Sequence, residues 1–198
     1  VRTGFGSNNV DHCTRLCHAS SVAALLETIG SGAVSNQVAD GSYADVIIVI
    51  GARPNSNHPV AAAFMKNAAL RGSKLVIIEP YGSDLGLHAS HFLQLRPSTD
   101  VLLLNSIMHT IIEEGLKNSD FIKEHTDGFE LLKESVKKYS PEKVSPICGI
   151  AVETIKEVAR LYACADTAII FWGMGISQHI HGTDNARSLI SLALLTGQ

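Results

Sequence analysis

Asp45-Val46-Ile47-Ile48-Val49-Ile50-Gly51 and Lys74-Leu75-Val76-Ile77-Ile78-Glu79-Pro80 are two continuous apolar runs, each stopped by a residue that bends or breaks the backbone. Runs of this length without polar alternation read as strands buried on both faces. Between them, Asn57-His58-Pro59 leads into an Ala-rich helical stretch, Val60 to Arg71, closed by Gly72. Strand, helix and strand in this spacing form a βαβ unit, which requires parallel pairing. A third short strand is predicted at His91–Leu95, then a turn at Pro97-Ser98-Thr99-Asp100 and a helix from Val101 to Glu114, with Ser98 or Thr99 as its cap. Residues 118 to 164 read as helices over Asn118–Glu124, Phe129–Tyr139 and Val152–Ala163, with a turn at Ser140-Pro141. Thr167–Trp172 is the fourth strand, and a last helix covers Asp184–Leu195. The alternation predicts one α/β domain over residues 1–198, three-layered and doubly wound, a Rossmann-like variant with a mainly parallel sheet and helices on both faces.

With 45% hydrophobic and 18% charged residues, the 198-residue chain has enough apolar content for one packed core. Sixteen Lys+Arg against nineteen Asp+Glu leave a net charge of −3, so phosphate-driven nucleic-acid binding is not expected. The longest apolar runs fall far short of the roughly 20 residues that span a bilayer, so no membrane contact is expected in this segment. The start, Val1-Arg2-Thr3-Gly4, carries no initiator methionine and no signal-peptide pattern, and the reading expects a piece of a longer cytoplasmic protein.

In doubly wound sheets ligands bind outside the carboxyl ends of the strands. The loop after the first run, Gly51-Ala52-Arg53-Pro54-Asn55-Ser56-Asn57-His58-Pro59, is rich in polar groups and backbone-fixing residues. The second run ends on a carboxylate, Glu79-Pro80, where a nucleotide ribose is often gripped. The fourth ends in Gly173-Met174-Gly175-Ile176-Ser177-Gln178-His179. Each Gly-x-Gly lacks the third glycine of a dinucleotide fingerprint and no Walker lysine follows. An ordinary NAD or ATP site is therefore disfavoured, whereas a nucleotide held in another way is not.

The densest chemistry lies in His12-Cys13-Thr14-Arg15-Leu16-Cys17-His18, two thiols and two imidazoles within seven residues. Structural zinc needs a second ligand pair from a distant segment, and none with that spacing follows. Cys148 and Cys164, among apolar neighbours, are expected to be buried thiols. A helix over about Ser20–Glu27 would set Cys17 and His18 at its N-terminal end, where the dipole and free N–H groups favour an anionic sulfur. A thiolate beside an imidazole is a nucleophile with its base, or a soft metal ligand with a proton relay; the residue types alone leave both open.

Taken in order, Asn9-Val10-Asp11-x-Cys13-x-Arg15-x-Cys17-His18, Gly51-x-x-Pro54-x-x-x-His58-Pro59, Glu79-Pro80, Leu95-Arg96-Pro97-x-Thr99-Asp100 and Trp172-Gly173-Met174-Gly175-x-x-Gln178 resemble the catalytic subunit of molybdopterin-dependent formate dehydrogenases, in the dimethyl sulfoxide reductase family. The resemblance runs over the whole chain. It implies one of the two α/β domains that hold paired molybdopterin guanine dinucleotides with molybdenum or tungsten, with formate as substrate. It further implies Cys17 as the metal-ligating cysteine or selenocysteine equivalent and His18 as proton acceptor. Gly51, Pro54, Ser56 and His58 would line one cofactor, Glu79 with Pro80 would receive the guanosine ribose, and Pro97, Ser98, Thr99 and Asp100 the guanine end. Gly173, Met174 and Gln178 would approach pterin and metal.

A 4Fe-4S cluster, the remaining domains and the electron-transfer subunits would belong to the parent enzyme outside this chain. Tyr81, Ser98 and Arg53 depart from the residues usual at those places in the family. Another molybdopterin oxidoreductase, nitrate reductase-like, and a non-catalytic nucleotide-binding module are the competing readings.

Overall fold

The computed structural model describes residues 1–198 and contains one sheet of four parallel strands, β1 (Val46–Ile50), β2 (Lys74–Ile78), β3 (His91–Leu93) and β4 (Ala168–Trp172), in the order β3-β2-β1-β4. Eight helices of seven residues or more accompany it: α1 (Ala19–Ile29), α2 (Pro59–Leu70), α3 (Asp100–Glu113), α4 (Ser119–His125), α5 (Phe129–Val136), α6 (Pro141–Cys148), α7 (Val152–Ala163) and α8 (Gly182–Thr196). The expected three-layer α/β architecture is thus present.

Its two outer layers are unequal. Successive side chains of a strand point to opposite faces. Val46, Ile48 and Ile50 of β1 join Val76 and Ile78 of β2 in one cluster of 29 buried residues, with Leu103, Ile107, Val158 and Leu189 from the covering helices. Ile47, Val49, Leu75 and Ile77 point the other way into a cluster of only eight, covered by Met65 and Ala68 of α2 and by Leu85. Fully apolar strands are explained by this double cover. The thinner layer suffices because Ala-rich α2 packs its small side chains close against the sheet.

Four expectations are corrected. Ser140-Pro141 opens α6 rather than a turn: Pro141 occupies the first helical turn, where a missing N–H costs nothing, and the helix ends at Gly149 in the left-handed region, with φ 82. The third strand stops at Leu93, because Leu95 N–H turns back to Leu93 O. Thr99 does hold the N-cap position of α3, but its hydroxyl donates to Arg96 O at 2.6 Å and caps no amide, while Ser98 bends the chain through φ 65. Cys148 is buried as expected, but Cys164 is exposed: it follows the last turn of α7, whose inner face is taken by Ala159 and Tyr162.

The path steps from β1 to β2 to β3 on one side and then returns to β4 on the other side of β1. The topological switch therefore lies between the carboxyl ends of β1 and β4, where an open crevice forms in doubly wound sheets.

Candidate functional site

Three glycines shape that switch. A Cβ on Gly175 would lie 2.7 Å from Gly51 Cα, one on Gly173 would lie 2.9 Å from Gly51 O, and one on Gly51 would lie 2.8 Å from Gly175 C. Gly51 also takes φ +56. The backbones after β1 and β4 touch directly, Gly175 N–H donating to Gly51 O at 2.9 Å. No side chain fits between them, and the space above the strand tips is left to a ligand.

The Cys-His segment reaches the same rim from outside the sheet. A single helical turn, Thr14–Cys17, ends where His18, at φ −145, breaks the chain direction and becomes the N-cap residue of α1. Cys17 is half-buried, whereas Cys13 and His18 are exposed and all four cysteines are free thiols. Four hydrogen bonds tie this stretch to the β4 loop across more than 150 residues of sequence. The Gln178 side-chain amide donates to Leu16 O at 2.9 Å, and Ser20 Oγ to Ser177 O at 2.6 Å. Ser21 Oγ and Ser177 Oγ are hydrogen-bonded at 2.6 Å, and the Trp172 indole N–H donates to Ser21 Oγ at 2.9 Å. Ser20, Ser21 and Ser177 carry no motif in the sequence; only burial of two hydroxyls at the two segments' ends reveals them.

Toward β2, Glu79 and Asp100 are both buried, 7% and 6% exposed. Burial pushes the Glu79 carboxyl up, the Arg53 guanidinium pulls it back, and the Asp100 carboxylate pushes it up again. Asp100 is likewise raised by burial and drawn back by its own backbone N–H and by His179. Their other hydrogen bonds come from backbone alone, so the two acids face the crevice without a side-chain donor. Pro80 O accepts the Gln94 side-chain amide at 3.0 Å, fixing the β2 loop against β3.

The remaining candidates are more loosely set. Pro54 is buried and starts the turn Pro54–Asn57, while Ser56 and His58 are exposed, His58 as the N-cap residue of α2. Pro97 and Ser98 are exposed at the turn before α3, and Met174 is exposed at the rim of the β4 loop. Cys17 with Gln178, the glycine trio, and Glu79 with Asp100 are brought together; Ser56, His58, Pro97 and Ser98 form an outer fringe.

The donor set suits a dinucleotide with hydroxyl and ring N–H groups at one end and a soft metal at the other. The two buried acids, met by backbone N–H groups and no side-chain donor, can accept further hydrogen bonds from such a nucleoside, the glycine contact keeps side chains off the strand tips, and Cys17 offers a soft sulfur. No three His, Cys, Asp or Glu side chains converge anywhere, so this chain by itself presents no cluster of three such ligands.

Comparison with known proteins identifies the family of the chain. The Molybdopterin oxidoreductase family matches residues 2–198. The chain is 40% identical over 197 residues to a formate dehydrogenase subunit alpha of Methanocaldococcus jannaschii, covering 100% of this chain and 29% of the relative. It is 39% identical over 197 residues to Formate dehydrogenase H of Escherichia coli, covering 100% of this chain and 28% of that protein. Acetylene hydratase from Pelobacter acetylenicus superimposes with TM-score 0.80 at 26% identity, over 90% of this chain and 24% of that one. The chain thus spans less than a third of the length of the curated relatives named here.

Proposed function

The chain belongs to the molybdopterin oxidoreductase family, and from that membership we propose that it is the cofactor-binding domain of a formate dehydrogenase, one that oxidises formate to carbon dioxide at a molybdenum or tungsten centre held by two molybdopterin guanine dinucleotides. The observation that supports this reading is that Cys17 is half-buried and that the residue before it, Leu16, accepts through its carbonyl a hydrogen bond from Gln178 of the loop after β4.

Each residue has a part set by its position. Cys17 is the sulfur ligand to the metal, and Gln178 holds the backbone one residue before it. His18, exposed beside Cys17, accepts the proton released when formate loses two electrons and becomes carbon dioxide. Glu79 accepts hydrogen bonds from a ribose, and Asp100 from the guanine end. Gly51, Pro54, Ser56 and His58 line one dinucleotide; Gly173 and Met174 lie by the pterin and metal. When bound, the metal and its dithiolenes supply the two-electron redox chemistry. The 4Fe-4S cluster, the other domains, the electron-transfer subunits and a cytoplasmic location belong to the same reading of the longer protein.

The test uses the full-length protein carrying this chain, with metal content by mass spectrometry and formate oxidation with an artificial acceptor. Cys17→Ser is expected to abolish formate oxidation with the circular dichroism spectrum retained, because a hydroxyl is a harder, less acidic ligand. His18→Ala is expected to slow turnover by about a hundredfold. Wild-type metal content and activity in Cys17→Ser would overturn the assignment.

A further inference from the structure

The segment carrying Cys17 is tied to the end of β4 and its loop largely through serine hydroxyls. Ser21 is 3% and Ser177 6% exposed, so their 2.6 Å contact is shielded from water. An indole N–H only donates, which fixes Ser21 Oγ as the acceptor for Trp172. Trp172 is the last residue of β4, Ser21 lies in the first turn of α1, four residues after Cys17, and Ser177 closes the turn Met174–Ser177. The loop is held from its far side too: the Asn185 amide of α8 donates to Ile176 O at 3.0 Å. Gly182, where a Cβ would meet Ser20 Oγ at 2.8 Å, lets α8 close on the same spot.

We propose that Ser21 and Ser177, locked by the Trp172 indole, are positioning residues that set where the Cys17 sulfur stands relative to the Gly173–Gln178 loop. This rests on the reading of Cys17 as metal ligand, and it assigns the setting of that ligand to a hydroxyl relay rather than to packing. Cys17 ends a single helical turn, and the Asp11–Arg15 ion pair beside it is open to solvent. With the relay cut, the hydrogen bonds that still tie the Cys17 segment to the β4 loop are Gln178 to Leu16 O and Ser20 to Ser177 O, while α1 stays packed along α8.

The experiment reads thiol reactivity and needs no metal. In the 198-residue chain, alkylation of each cysteine is followed by peptide mass spectrometry, and emission is followed from Trp172, the sole tryptophan. Ser177→Ala is expected to raise the Cys17 rate about fivefold, the opening that one lost hydrogen bond permits. Trp172 emission is expected to shift to the red, with the rates of exposed Cys13 and buried Cys148 unchanged. Ser177→Thr, which keeps the hydroxyl, is expected to restore the wild-type rate. Ser21→Ala provides a second variant from the other side of the relay.

An unchanged Cys17 rate in both alanine variants overturns the proposal. So does a parallel rise at Cys148, which would make the serines general fold supports. If instead Cys17→Ser in the full-length protein kept its metal, the ligand reading would fail while these rates stood unaffected.

Discussion

The contact between the loops after β1 and β4 makes a quantitative demand on three glycines. Alanine at position 175 would place its Cβ 2.7 Å from both Gly51 Cα and Gly51 O, and neither neighbour is a side chain that can swing away. Overpacking of this kind costs about 1–3 kcal/mol, and a backbone-to-backbone clash belongs at the upper end. Restricting the unfolded chain returns about 0.4–1 kcal/mol, leaving a net loss of about 2 kcal/mol. Gly51→Ala meets the same clash at 2.8 Å and must in addition hold φ +56, which adds about 1–2 kcal/mol. Gly30→Ala separates the two effects: Gly30 has φ +72 and nothing within 4 Å of its Cβ, so only the conformational cost of about 1 kcal/mol applies. At roughly 2–4 °C per kcal/mol for a chain of this size, the expected order of melting-temperature loss is Gly51→Ala, then Gly175→Ala, then Gly30→Ala, with the first near 10 °C. Thermal unfolding followed by far-ultraviolet circular dichroism measures it. A Gly175→Ala chain as stable as wild type would refute the close approach of the two loops.

Other outcomes follow from burial. Glu79 is held protonated more readily in the folded chain than in the unfolded one, so the folded state binds more protons between the unfolded carboxyl value and the raised one. Stability therefore falls as pH rises through that window and stays lower above it; Glu79→Gln is expected to be more stable than wild type at pH 7, with a flatter profile above pH 4. A melting series from pH 4 to pH 8 tests this, and an unchanged slope would contradict it. Ser106 Oγ is fully buried without a partner, so Ser106→Ala, which removes it from the interior of α3, should gain about 1 kcal/mol in a urea titration. In the native chain an aromatic disulfide reagent should modify Cys13 and Cys164 fast, Cys17 more slowly and Cys148 only on unfolding, since Cys148 is fully buried and its thiol is pushed up by that burial. Rapid labelling of all four would contradict the packing of α6.

The parts of this structure visible in the sequence are those written in local chemistry. Strands β1 and β2 announce themselves because both faces are covered, and β4, half-buried along its whole length at the sheet edge, keeps the same uninterrupted apolar run. Helix α6 is hard to see in the sequence because Pro141 is a helix starter that also reads as a turn, and a second proline, Pro146, lies inside the helix. Glu79 and the glycine pair at positions 173 and 175 stood out at strand ends, a rule that depends only on chain direction. Ser21 and Ser177 did not, because nothing in a serine's immediate neighbours tells that its hydroxyl meets another one 156 residues away. Cys164 misled for the converse reason: apolar neighbours describe an average environment, and the side chain's direction at a helix end decides its burial.

The same distinction explains why one rim gathers the chemistry. A sheet order of β3-β2-β1-β4 leaves the tips of β1 and β4 adjacent with their helices departing to opposite faces, so only small residues tolerate the meeting of the two loops. That clears a space but provides no reactive group, since backbone and glycine carry none. The acids Glu79 and Asp100 enter from β2 and from the start of α3, on the β2 side of the switch. The sulfur has to come from the other side, and the nearest element there is α1, packed along α8 and bonded to the β4 loop. On the proposed function, a ligand that needs hydroxyl acceptors at one end and a soft donor at the other would lie across the tips of β2, β1 and β4, with Glu79 and Cys17 toward its two ends.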